Sequence, residues 1–103
     1  MITPGSEVII YLQEPREQVW GLLRGLDEVG VTVEGLDIES FDAWARCVEE
    51  GGGWRSQISV QFLPMRRVQR ILLDRGDPES PSLSERFAAR VGRSLGALLD
   101  GAS

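Results

Sequence analysis

Two stretches, residues 16–26 and 65–73, decide what this chain can fold into. In the first, Val19, Leu22, Leu23 and Leu26 fit one face of a helix, with Pro15 at its first position. Gly21 and Gly25 stand against that, each costing roughly 1 kcal/mol in a helix interior. In the second, Met65, Val68, Ile71 and Leu72 also fit helical spacing, while strand alternation sets Val68 and Arg70 against Gln69 and Ile71. Two helices here give an α/β sandwich with the order βαβα-βαα. Two strands give five short strands in hairpin order, with one helix inserted after the third and one appended. Five such strands make a small closed barrel, which removes the exposed edges of a flat sheet.

The remaining elements read more directly. Glu7-Val8-Ile9-Ile10-Tyr11-Leu12 is β-branched and bounded by Pro4-Gly5 and Pro15, a strand. Val29, Val31 and Val33 alternate with Gly30, Thr32 and Glu34 in a second strand that runs on to Ile38, and Ile58, Val60 and Phe62 alternate in another. Between these two, Phe41, Trp44, Ala45 and Val48 recur at helical spacing behind Ser40 as N-cap, and Gly51-Gly52-Gly53 ends the helix. Ser82-Leu83-Ser84-Glu85 has capping-box spacing. Leu83, Phe87, Val91, Leu95, Leu98 and Leu99 then form one helical stripe, with Arg86, Arg90 and Arg93 on another face.

Residues 8–38 resemble the first motif of the Sm-like family of small barrels, to which the bacterial Hfq-type proteins belong. That motif is an apolar strand, then apolar-x-Gly-x-Leu-x-x-apolar-Asp, then a tight turn into a third apolar strand. Here Val19-Trp20-Gly21-Leu22-Leu23-Arg24-Gly25-Leu26-Asp27 stands in that place, followed by Glu28-Val29-Gly30-Val31-Thr32-Val33. Gly21 lets a long strand bend sharply, and Asp27 opens the turn. The second motif, a strand pair joined by a tight turn, is similar to Phe62-Leu63-Pro64-Met65-Arg66-Arg67-Val68-Gln69-Arg70-Ile71. The resemblance covers about half the chain and implies an SH3-type barrel that associates through its strand edges. It does not carry over the family's uridine pocket. Gly30 stands where an Asn would contact a base, and Pro64-Met65 where an Arg-Gly pair would be.

The expected architecture is therefore mostly β, one domain over residues 1–103. Its barrel spans 6–74, with strands near 6–13, 16–27, 29–38, 56–64 and 67–74 and an inserted helix at 40–50. A linker at 75–82 leads to a C-terminal helix at 83–99. The expected core is Val8, Ile10, Leu12, Val19, Leu23, Leu26, Val31, Val33, Ile58, Val60, Phe62, Val68 and Ile71. Phe87, Val91 and Leu95 would cover a barrel opening or a neighbouring subunit. The alternative remains the ferredoxin-like or ACT-like sandwich, a small-molecule-sensing regulatory domain.

Composition removes much chemistry. With no histidine there is no Ser-His-Asp triad, Cys-His dyad or His-ligated zinc. The single cysteine, Cys47, excludes an intrachain disulfide and fits a reducing cytoplasm. Residues 1–7 lack the basic and apolar regions of a signal peptide, and no apolar run spans a bilayer. Asp37, Glu39 and Asp42 match no calcium loop, so neither metal nor cofactor is expected. Trp20, Trp44 and Trp54 read as burial rather than a base-stacking platform.

Charge divides along the chain. Residues 1–51 hold 3 Arg and 11 Asp or Glu, giving −8, while residues 52–103 hold 8 Arg and 5 acids, giving +3. The net charge of −5 disfavours nucleic acid. Arg66, Arg67, Arg70 and Arg75 are the candidate binding surface; pairing of this basic stretch with the acidic half, within or between subunits, is the simpler reading. The functional expectation is a non-enzymatic, self-associating module that presents a surface to another protein, with no DNA or membrane partner. An Hfq-type RNA regulator using the arginines as a non-standard face is the second reading.

Overall fold

The computed structural model describes residues 1–101. Five strands form one antiparallel sheet: β1 (Glu7–Leu12), β2 (Glu17–Leu26), β3 (Gly30–Asp37), β4 (Ser59–Pro64) and β5 (Val68–Leu73), in the order β4-β3-β2-β1-β5. The first disputed stretch is strand β2 and the second is a short 3-10 turn followed by strand β5, so the helices that a sandwich needs at those places are not formed. Helix α1 (Phe41–Glu49) lies between β3 and β4, and α2 (Leu83–Val91) and α3 (Leu95–Asp100) follow β5.

The sheet has two apolar faces, and they are buried differently. The inner face holds Val8, Ile10, Leu12, Val19, Leu23, Val31, Val33 and Leu63, with Val68, Ile71 and Leu73 of β5 half-buried beside them. No helix contributes to this cluster. A sheet face escapes water without a covering layer only by curling on itself. The curl is built where Gly21 of β2 faces Gly35 of β3. A Cβ on Gly21 would meet the Glu34 carbonyl oxygen and come within 2.6 Å of the Gly35 Cα. The register also shifts between Leu23 and Gly25, a bulge that strengthens the local twist at Arg24.

The curl stops short of the closed barrel expected from sequence: β4 and β5 do not pair. Their connection explains it. The 3-10 turn Met65–Arg67 begins with the Met65 amide donating to the Val29 carbonyl and ends with the Arg67 carbonyl accepting from the Gln13 amide. The turn is thus tied to opposite sides of the sheet and crosses its open end instead of folding β5 back on β4.

The outer face is covered by the helices. Trp20, Leu22 and Leu36 pack against Phe41, Trp44 and Ala45 of α1, Phe87 of α2, and Leu95 and Leu98 of α3. Trp44 and Phe87 stack at 5.3 Å, and Trp20 meets Phe41 edge-on at 5.0 Å. Each such aromatic pair contributes about 1 kcal/mol beyond simple burial.

Several sequence expectations are corrected. Val60 and Phe62 are 61% and 53% exposed, not core. Their alternation belongs to the outer face, beyond the reach of the helices, and Leu63 takes the inner position. Ile58, just before β4, is buried, but in the cluster beneath the helices. Leu26 is 47% exposed because β2 runs past the end of β1, leaving Leu26 paired only with Val31 of β3. The fourth strand begins at Ser59, not 56, because Trp54–Gln57 form a 3-10 turn. Ser40 makes no capping hydrogen bond, since Ile38–Ser40 already form a 3-10 turn leading into α1. The single helix at 83–99 is two. Gly92 ends α2 in the left-handed region (φ 87°), and the Ser94 side chain caps α3 by accepting from the Ala97 amide. Phe87 and Leu95 cover the outer face of their own sheet rather than a barrel opening.

Candidate functional site: two unpaired strand edges

The hydrogen bonds that bound the outermost strands reveal what those strands offer. The Met65 amide donates to the Val29 carbonyl at 2.9 Å, so residues 65, 63 and 61 turn their backbone toward β3. Val60, Phe62 and Pro64 therefore turn theirs outward. Pro64 lacks an amide proton, which only an outward position tolerates. On the other side the Asp74 amide donates to the Glu7 carbonyl at 2.9 Å, which points Leu72 and Arg70 toward β1 and leaves Ile71 and Leu73 facing outward.

Free edges are ordinarily guarded by charge, bulges or brevity. The β4 edge, Ser59-Val60-Gln61-Phe62-Leu63-Pro64, carries no charged residue, and Val60 and Phe62 stand exposed beside its free backbone groups. The β5 edge carries one charge, Arg70, and Leu72 is 41% exposed there. The alternation over 58–62 identifies the strand in the sequence but does not say which of its faces is inner.

The four candidate arginines do not form one surface. Arg66 and Arg70 are exposed at the end of the sheet that also carries Arg16, which sequence reasoning missed. Arg67 is committed, donating to the Gln13 and Pro15 carbonyls and pairing with Glu17 at 2.9 Å. Arg70 lies over the Tyr11 ring at 4.5 Å. Arg75 lies past the other end of β5, in a recess with Glu7, Asp74 and Glu85. Glu14, Glu17, Asp37 and Glu39 share the end that holds the first three, so that end has no single sign.

The positions matched to the family motifs serve the backbone. Asp27 Oδ1 accepts from the Val29 and Gly30 amides at 2.8 and 3.2 Å, and so holds the β2–β3 turn. At Gly30 a Cβ would strike the Phe62 ring. Pro64 ends β4 and Met65 starts the crossing turn, where it packs on the inner cluster. Trp20 and Trp44 are core and Trp54 packs against them, with the Trp44 Nε1 donating to the Trp54 carbonyl at 3.0 Å. Cys47 is free, half-buried, and faces the Gln57 amide at 3.5 Å. Asp42 pairs with Arg86 and Arg90, and Glu49 with Arg90. Among the described residues, no three His, Cys, Asp or Glu are placed to hold a metal ion, and no helix is long and apolar enough to cross a membrane.

Fold and edges together define a class: a small, curled, five-stranded antiparallel domain with helices on its outer face and, among the described residues, two unpaired strand edges, of which β4 carries no charge. Compared with protein-family models, with curated proteins and with solved structures, the chain matches none of them.

Proposed function

We propose that this chain is a non-enzymatic assembly module of the Sm-like, SH3-type barrel class that associates with copies of itself through its strand edges. The observation that carries the reading is the uncharged β4 edge, with Val60 and Phe62 exposed beside outward-facing backbone groups. The β5 edge is its complement. Pairing β4 of one copy with β5 of the next satisfies both rows of backbone groups and covers Val60, Phe62 and Leu72. Because the two edges differ, this contact is head-to-tail and closes into a ring when the rotation allows. The sharp curl at Gly21 and Gly35 and the Asp27 turn support the family resemblance. The free thiol at Cys47 supports a cytoplasmic setting. The mixed charge around Arg66 and Arg70 speaks against an RNA-binding face there.

Native molar mass by size-exclusion chromatography with light scattering tests the proposal. A closed multiple of 11.4 kDa supports it, and Phe62→Lys should return the protein to one chain without loss of stability. A wild-type monomer at all concentrations overturns it.

A further inference from the structure

Where the helices stop, the outer face of the sheet carries a polar groove of about 600 Å³. Its floor is a row of neighbours on three strands: Gln18 of β2, Tyr11 of β1 and Arg70 of β5. The next row along, Trp20, Ile9 and Leu72, is apolar. Asp37 and Glu39 form one wall, where the chain leaves β3 for α1. On the opposite side the Arg70 side chain rises from the floor over Tyr11, and Arg16 closes the end at the β1–β2 turn.

The groove holds opposite charges apart. Among the described residues, no ion pair joins Arg16 or Arg70 to any carboxylate, and none engages Asp37 or Glu39. Glu17, the remaining acid of the lining, is taken by Arg67 at 2.9 Å. The reason is geometric. The Asp37 and Arg70 backbones lie three strand spacings apart, roughly 14 Å, so the side chains do not meet unaided. Arg70 is further restrained by a cation–π contact, its guanidinium carbon lying 4.5 Å from the centre of the Tyr11 ring.

A ligand with one sign of charge meets a repelling wall in this groove. One that carries a carboxylate at one end and an ammonium at the other satisfies both. The volume lies within the range of about 300–1,000 Å³ that small-ligand sites occupy. We propose that the groove binds short zwitterionic peptides, the carboxylate on Arg16 and Arg70 and the ammonium on Asp37 and Glu39. The side-chain amides of Gln18 on the floor and Gln69 elsewhere in the lining are placed to meet the peptide's own amide groups. The residues that line each groove all belong to one chain, with Gln69 and Arg70 on the β5 edge through which self-association is proposed.

Titration of ¹⁵N-labelled protein with triglycine tests it, read by amide shifts at Tyr11, Gln18, Gln69 and Arg70. Saturable shifts are expected, weakened about tenfold or more when the ammonium is removed (N-acetyl-triglycine) or the carboxylate is removed (triglycine amide). Arg70→Gln and the pair Asp37→Asn with Glu39→Gln should each abolish the preference, with the rest of the spectrum unchanged as proof of folding. No saturable shift with triglycine overturns the proposal. So does N-acetyl-triglycine binding as tightly as triglycine, which would make the groove a plain anion site. Light scattering on the same samples separates these outcomes from the assembly question.

Discussion

Asp74 ties distant parts of the chain together through one carboxylate oxygen. Its Oδ2 accepts from the Trp20 indole at 3.1 Å, the Ser84 amide at 2.7 Å and the Ser84 hydroxyl at 2.7 Å. One carboxylate thus ties the centre of β2 to the first turn of α2, where negative charge is also favoured by the helix dipole. Asp74→Ala should cost about 1–3 kcal/mol, because it strands a partly buried helix amide and removes one of two acceptors from a buried indole. Urea denaturation followed by tryptophan fluorescence measures this, and Asp74→Asn should recover part of the loss. The sequence placed Asp74 at the edge of a polar linker, and nothing local marked its role. Its partners lie 54 and 10 residues away. The capping box at Ser82 and Glu85, by contrast, was legible because both partners lie within one turn.

At the scale of elements, legibility followed the range of the cause. The tripeptide Gly51-Gly52-Gly53 ends α1 as read, with Gly51 in the left-handed region (φ 73°). The break at Gly92 was missed because the apolar stripe runs through it in phase. Strand parity on β4 was missed because the sheet has two apolar faces, so alternation identifies a strand without saying which face is inner. Helix α3 shows what holds a short element in place. Arg24, at the β2 bulge, donates to Asp100 at 3.1 and 2.7 Å and to Glu34 at 3.0 and 2.6 Å. The hydrogen bond from Arg24 holds the Asp100 carboxyl below its ordinary value of 3.8, against an opposing desolvation effect. A carboxylate lowered in the folded state contributes stability above its ordinary pKa and loses it as pH falls through the lowered one. Thermal melts should therefore show α3 loosening below about pH 4. Arg24→Gln should flatten that part of the acid slope while leaving the region above it level.

For the whole molecule, folding brings part of the divided charge together. Arg67–Glu17, Arg86–Asp42, Arg90–Asp42 and Arg90–Glu49 each join a second-half arginine to a first-half acid, while Arg24–Asp100 joins the halves in the opposite sense. The simpler sequence reading paired the basic stretch with the acidic half, within or between subunits; of its four arginines, Arg67 makes such a pair within the chain, with Glu17. Closure of the sheet was not legible, since it depends on where the 65–67 turn is anchored rather than on its composition. The curl is the fold's most demanding feature. Gly21→Ala should destabilise the protein by more than about 3 kcal/mol, because the new methyl group meets backbone rather than a side chain that can move. Guanidinium denaturation checks this, with Gly25→Ala as the control, where the nearest atom is a Thr32 side-chain carbon at 3.7 Å.

The strand order also bears on how the chain is made. β1 is flanked by β2, which follows it at once, and by β5, whose Leu73 pairs with Val8 only after most of the domain has been synthesised. Until then the meander of β1, β2 and β3 has local contacts but no fifth strand and no C-terminal helices over Trp20. Its late-paired edge is β1, Val8-Ile9-Ile10-Tyr11-Leu12, the most apolar strand of the sheet. During translation this early segment is therefore the one most open to capture by another nascent chain, and the rate at which residues 68–73 emerge sets how long it stays so.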